Sequence, residues 1–192
     1  MLKVITAPEE IITVDDAAEF MRAEFSSSEE SLIETFITAA RQWCEEYLRR
    51  AIGVQTLELR IKGFPYNNGP ITLRAPLIDV TSVKYLDSDL VEQTLDAADY
   101  VVSDAEPPVI VPVGAWPVSY GSADAVRVEY RAGYYPGGSP KLSEVLPKTI
   151  RTAMLMMVAD MYTNREAQVE KVLTANPTVE RLLSTLRLQM GI

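Results

Sequence analysis

The feature that most constrains this chain is a change of period at Gly53. Before it, Ile33, Phe36, Ile37, Ala40, Trp43, Cys44, Tyr47, Leu48 and Ala51, with Leu32 beside them, recur at a spacing of three and four. That spacing places them on one face of a long helix. Glu34, Gln42, Glu45, Glu46 and Arg49 occupy the other side. After it, from Val54, the period falls to two: Leu57, Leu59 and Ile61 alternate with Glu58, Arg60 and Lys62. Such alternation is that of a half-buried strand. A one-sided helical stripe needs a partner surface. The partner expected for most of it is the chain's own C-terminal helices.

Local signals fill in the rest. Thr13 is an N-cap candidate for a first helix, with Asp16 at its third position. Ser26-Ser27-Ser28 interrupts it; Ser28 is expected to cap the second helix and Gly53 to end it. Short strands are predicted at Ile71 to Arg74, Tyr100 to Ser103, Val109 to Val113 and Ala125 to Arg131. Asp79 to Leu86 and Val91 to Leu95 read as a hairpin across Asp87-Ser88-Asp89. Pro107, Pro108, Pro112 and Pro117 belong at edges or in loops, because proline cannot donate to a ladder. One small antiparallel sheet or partial barrel is expected from these strands. Gly133 to Pro140 reads as a linker. A third helix follows, with Pro147 in its first turn and Leu146, Ile150, Ala153, Met154, Met157, Val158 and Met161 on one face. Asn176-Pro177 opens a last, short helix. The expected fold is α+β: a helical bundle from the N- and C-terminal segments (1–53 and 134–192) with an inserted small antiparallel β domain (54–133).

Composition narrows the function. The 192 residues carry a net charge of −9, unevenly placed: −6 over residues 1–52, −5 over 53–136 and +2 over 137–192. An acidic protein does not condense on phosphate backbones, so duplex binding is disfavoured. Net negative charge suits a surface that DNA slides past. The single cysteine, Cys44, cannot form an internal disulfide and lies on the apolar helix face, as a small core residue would. The absence of histidine removes the commonest general base and metal ligand together. No apolar stretch approaches the roughly 18 residues of a membrane span, and the first residues do not read as a signal peptide.

The chemical motifs are weak. Asp87-Ser88-Asp89 lacks the later ligands of a calcium loop and reads as a polar turn. Asp96 and Asp99 have nothing apolar placed to separate their pKa values, so they are not expected to form a catalytic pair. Gly133 to Gly138 contains no phosphate-binding signature. Trp116, Tyr120, Tyr130, Tyr134 and Tyr135 could stack on single-stranded nucleic acid, but only Arg127 and Arg131 accompany them; protein contact or sheet packing explains them better. Of the methionines Met154, Met156, Met157 and Met161, Met156 falls off the apolar stripe and is a candidate for an interface. No catalytic, cofactor-binding or metal site is expected.

Several runs resemble a known family in their order: Pro76 to Asp87, Asp96-Ala97-Ala98-Asp99-Tyr100, Trp116-Pro117, Val128-Glu129-Tyr130-Arg131-Ala132-Gly133-Tyr134 and Tyr162-x-Asn164-Arg165-Glu166. Together with the opening helix pair they resemble the head–tail connector (head-completion adaptor) proteins of tailed bacteriophages, in the longer form with a β insertion. The resemblance spans about Thr13 to Leu188. It implies a non-enzymatic virion neck protein, assembled in the host bacterial cytoplasm, with no cofactor and no membrane. Its partners would be copies of itself in a ring, typically of 12, the portal protein, and a tail, stopper or head-completion protein. Double-stranded DNA would pass through the ring's channel without sequence-specific binding. The C-terminal segment, with Leu182, Leu183, Leu186, Arg187, Leu188 and Met190, is then the candidate for portal docking, or else packs on its own domain. Trp43, Tyr47, Met156, Tyr134 and Tyr135 are candidates for the subunit interface. The loops Phe64–Pro70 and Glu106–Pro117 match no shared role. Two other classes remain: a monomeric protein- or peptide-binding module using a sheet edge, and a small hydrolase or nucleotide-binding enzyme, which the missing histidine disfavours.

Overall fold

The structure is a computed structural model that describes residues 1–134, 146–164 and 177–188. The chain divides into two compact units, one drawn from Met1–Glu9 and Gly53–Pro136, the other from Glu10–Ile52 and Gly137–Ile192. The fold is α+β, as expected.

The first unit is built of antiparallel strands: β1 (Leu2–Thr6), β2 (Gln55–Ile61), β3 (Ile71–Thr72), β4 (Leu77–Leu86), β5 (Glu92–Thr94), β6 (Tyr100–Ser103), β7 (Val109–Pro112) and β8 (Val126–Ala132). They form two sheets instead of one, in the orders β1-β2-β8-β4-β5 and β3-β7-β6. The central strand, β8, alternates strictly: Val126, Val128, Tyr130 and Ala132 point inward and are buried. Registers Leu57↔Tyr130 and Val83↔Val128 bring the buried residues of the flanking strands onto the same face. Tyr130 keeps its hydroxyl satisfied by accepting the N–H of Arg74 at 3.2 Å. Burial pushes its phenol above the ordinary tyrosine range.

Strand β1 was not expected. All five of its residues are exposed, so no alternation marks it, and it belongs with the sheet although its neighbours in sequence are helical. The hairpin at Asp87 is as predicted. Asp87 Oδ1 accepts the N–H groups of Asp89 (3.0 Å) and Val91 (2.9 Å), and Oδ2 accepts from Gln93 Nε2 (2.8 Å). Those hydrogen bonds hold its carboxyl below the usual carboxylate range. Pro112 falls at the end of β7 opposite Tyr100, a position where no donor is needed. Gly133 sits at φ 141°, and a Cβ there would lie 2.6 Å from the carbonyl oxygen of Gly53. Only glycine fits both constraints.

The two loops without an assigned role meet. Trp116 stacks on Phe64 (centroids 4.7 Å apart, 9° between planes), and Phe64 meets Tyr85 edge-on at 5.5 Å. The Trp116 N–H donates to Asn68 Oδ1 (3.1 Å) and its indole N–H to the Gly69 carbonyl (2.9 Å). The expected cluster around Trp116 is thus a different one. Tyr130 lies in the core, while Tyr120 is exposed.

The second unit holds α1 (Val14–Met21), α2 (Ser27–Leu48), α3 (Lys148–Thr163) and α4 (Pro177–Ser184). Thr13 caps α1 as expected: the Asp16 N–H donates to Thr13 Oγ1 (3.1 Å) and the Thr13 N–H to Asp16 Oδ2 (3.0 Å). The second helix is capped by Ser26, not Ser28, because Glu29 reaches back to the Ser26 N–H at 3.1 Å. It ends at Leu48, five residues before the glycine expected to stop it. Arg49 takes the left-handed cap conformation (φ 58°). Gly53 serves close packing instead: a Cβ there would lie 2.7 Å from the Glu9 carbonyl oxygen.

Ile33, Ile37, Ala40, Cys44 and Leu48 are buried along α2. Ile150, Ala153, Met154 and Val158 of α3, and Val179 and Leu183 of α4, complete that core. Leu155 joins it although the stripe omitted it. Glu45, placed by pattern on the polar face, is buried. Its Oε2 pairs with Arg41 Nη1 at 2.9 Å and its Oε1 accepts the Ile52 N–H at 2.8 Å. Arg41 Nε pairs in turn with Glu10 at 2.9 Å. Burial, with the Glu45 charge adding to it, pushes the Cys44 thiol up to about 12.

Candidate functional site

The helical unit carries one composite surface feature, at the C-terminal end of α2. Trp43 and Tyr47 lie one turn apart, and their rings stack at 5.1 Å with 11° between planes. The Arg187 guanidinium lies 5.0 Å above the Tyr47 ring, a cation–π contact. The Tyr47 hydroxyl donates to the Glu180 carbonyl at 3.4 Å. Arg50 Nε donates to the Leu186 carbonyl at 2.9 Å, and the Leu188 N–H donates to the Leu48 carbonyl at 3.2 Å. That last bond satisfies one of the carbonyls a helix leaves unpaired at its end. Arg50 and Arg187 also place positive charge where the dipole of α2 is negative. Residues 186–188 are therefore laid back on the helix that the stripe defines.

The arrangement unites residues from two separate expectations. Tyr47, stacked on Trp43 and expected with it at a subunit interface, touches Arg187, expected in a docking tail. Trp43 and Tyr47 are half-buried, as are Leu182, Leu186 and Leu188; Arg187 is exposed. Leu183 is fully buried in its own unit, so its side chain is unavailable to a partner. A helix of two turns with one apolar face must spend Val179 and Leu183 on its own core. Met156 is half-buried on α3, and Tyr134 is half-buried in the β unit just after Gly133. Tyr135 and Met190 lie outside the described residues. Arg50 was missed as an anchor. It follows the helix, and its carbonyl partner is 136 residues away, so no local pattern marks it.

Two of the runs that carry the family resemblance are neighbours in space. Asp79, in Pro76 to Asp87, pairs with Arg131, in Val128 to Tyr134, across β4 and β8. Arg131 Nε donates to Asp79 Oδ1 at 3.0 Å, and Arg131 hydrogen bonding holds the Asp79 carboxyl below the usual range. The signature thus marks strand pairing. A shallow groove of about 460 Å³ on the helical unit is lined by Glu10, Ile12, Thr13, Val14, Glu34, Ile37 and Thr38. Its Glu10 is already committed to Arg41 and Thr38. Among the described residues, no cluster of acidic or thiol side chains is placed to hold a metal, and no helix is long and apolar enough to cross a membrane.

No family model and no curated protein matches this sequence. Solved structures do. A chain in the neck of an empty gene transfer agent (GTA) particle, computed with C6 symmetry, superposes with a TM-score of 0.79 at 21% identity, covering 100% of this chain and 97% of that one. A chain in the virion of a native GTA particle gives 0.76 at 20% identity, with the same coverage. One in the neck of a native GTA particle, computed with C12 symmetry, gives 0.75 at 21%, again with that coverage. From end to end, then, this chain has the α+β fold of a chain in the neck of gene transfer agent particles.

Proposed function

We propose that the chain is a structural subunit of a phage-like virion neck: a head–tail adaptor that assembles with its own copies into a ring of 12 beneath the portal. The observation that carries this is the end-to-end likeness to neck chains, both units and their order included. Necks computed with C6 and C12 symmetry support a ring number divisible by both. The ring would extend the DNA channel and join the head to a tail, stopper or head-completion protein. The acidic residues 1–136 favour a channel that DNA passes without adhering. Its work is binding, with no catalysis, cofactor or membrane, and its place is the virion neck after assembly in the host cytoplasm.

Portal docking falls to the segment around Leu182, Leu186, Arg187, Leu188 and Met190, and subunit contact to Trp43 and Tyr47 with Met156, Tyr134 and Tyr135. The contacts of residues 186–188 with α2 suggest a tail parked on its own unit until the portal displaces it. Mass photometry of the chain, alone and with the portal ring, tests the proposal. A ring-sized species, or portal particles that gain many copies, is expected; a monomer under both conditions would sink it. The alternative, a monomeric peptide-binding module, draws on the open edge of β1. Capture of peptides by a strict monomer would favour it.

A further inference from the structure

Both sheets of the β unit present unpaired strand edges among the described residues, and two of those edges match each other. Among the described residues, no strand pairs with the outer side of β1 or of β6. The Arg60 N–H donates to the Met1 carbonyl, so Met1 and Arg60 form a hydrogen-bonded pair. The alternation of an antiparallel ladder then turns the N–H and C=O groups of Leu2 and Val4 toward the open edge. On β6, the Val113 N–H donates to the Asp99 carbonyl, and the same alternation turns those of Tyr100 and Val102 outward. Each edge therefore offers two outward residues, two positions apart.

Their side chains match as well. Leu2 and Val4 sit in register with Leu59 and Leu57, on the core face of the sheet, yet are 37% and 50% exposed while Leu57 is at 0%. The apolar face continues onto β1 with nothing over it. Val101 and Val102 on β6 are likewise open, at 53% and 40%. Lys3 is the charge on β1, and exposed Asp99 and Asp104 flank β6. The other edges fit less well. Strand β5 is short and polar, with Glu92 taken by Lys84 and Arg127, and β3 has only two residues.

We propose that β1 of one copy adds to β6 of a second copy, antiparallel, with Leu2 opposite Val102 and Val4 opposite Tyr100. Exposed edges of this kind pair with other strands unless blocked. Lys3 and the bulge after Val4 would discourage a random strand. Opposite an edge flanked by Asp99 and Asp104, Lys3 selects instead, since this register sets it across from Val101 and diagonal to Asp99. Strand β6 follows β5, the sheet edge opposite β1, after only Leu95–Asp99. Two different edges, one from each sheet, give a heterologous contact, which repeats from copy to copy until a ring closes. The inference rests on the ring reading and supplies one of its subunit contacts.

The test mixes full-length Lys3→Cys chains with Val101→Cys chains under assembly conditions, with and without the portal, then oxidises them. The proposed register makes these residues a non-hydrogen-bonded pair about 4.5 Å apart at Cα, within disulfide reach. Cys44 is fully buried and does not compete. A disulfide joining the two variants is expected, with none in either variant alone. Val102→Pro, which removes an outward N–H and no ladder bond, is expected to keep the fold and abolish assembly. Rings or portal-bound copies without that disulfide, or unaffected by Val102→Pro, overturn the strand pairing and leave the adaptor reading standing. Monomers throughout overturn both.

Discussion

Arg41 and Glu45 lie one turn apart on α2, both under a tenth exposed, and each depends on the other. Truncating Glu45 takes from the buried Arg41 one of its two carboxylate partners and leaves Glu10, a loss of about 1.5–3 kcal/mol. Glu45→Ala also takes the acceptor from the Ile52 N–H, at the point where the chain leaves the helical unit. We expect that loss in urea denaturation of Glu45→Ala, against less than about 0.5 kcal/mol for exposed Glu46→Ala. Equal effects would mean that the buried network contributes nothing of its own. The network also explains a misreading. Pattern alone assigns every charge to the solvent face, and nothing near Glu45 in sequence reveals that the Ile52 N–H meets it or that Glu10 holds its partner Arg41. Cys44, apolar by the same pattern, was legible because burial asks no partner of it.

At the scale of elements, long and periodic features were legible, while ends and lone strands were not. The stripe of α2 declared a helix, but its boundaries depend on single caps: Ser26 with Glu29 at the start and left-handed Arg49 at the end. Ser26→Ala should cost about 1 kcal/mol and Ser28→Ala little, since cap geometry belongs to the first. Circular dichroism melts of the two variants distinguish them, and the reverse order would return the cap to Ser28. The hairpin at Asp87 could be read because its turn is local. The stack of Phe64 on Trp116 could not, because the residues that make it are far apart in sequence. Strand β1 left no trace for a physical reason: alternation records burial on one face, and β1 is exposed on both. The composite site was half legible. Trp43, Tyr47 and Arg187 were singled out for separate roles, and only the folded chain brings them together.

At the scale of the molecule, each unit is assembled from two stretches of chain. The β unit takes Met1–Glu9 along with its main stretch, so residues 53–136 alone would lack β1 and expose the edge of β2, where Leu57 is fully buried. Expressed by itself, that stretch should melt at lower temperature and less cooperatively than the same stretch with residues 1–9 joined ahead of it. Identical melting would show that β1 is dispensable. The two-stretch construction also bears on inheritance. A crossover that replaced residues 53–136 as a cassette would leave the resident β1 to pair with a foreign β2. The register Leu2↔Leu59, Val4↔Leu57 would have to survive in every such hybrid. Residues 1–9 are thereby bound in inheritance to a stretch that begins at residue 53, and recombination that separates them breaks a sheet.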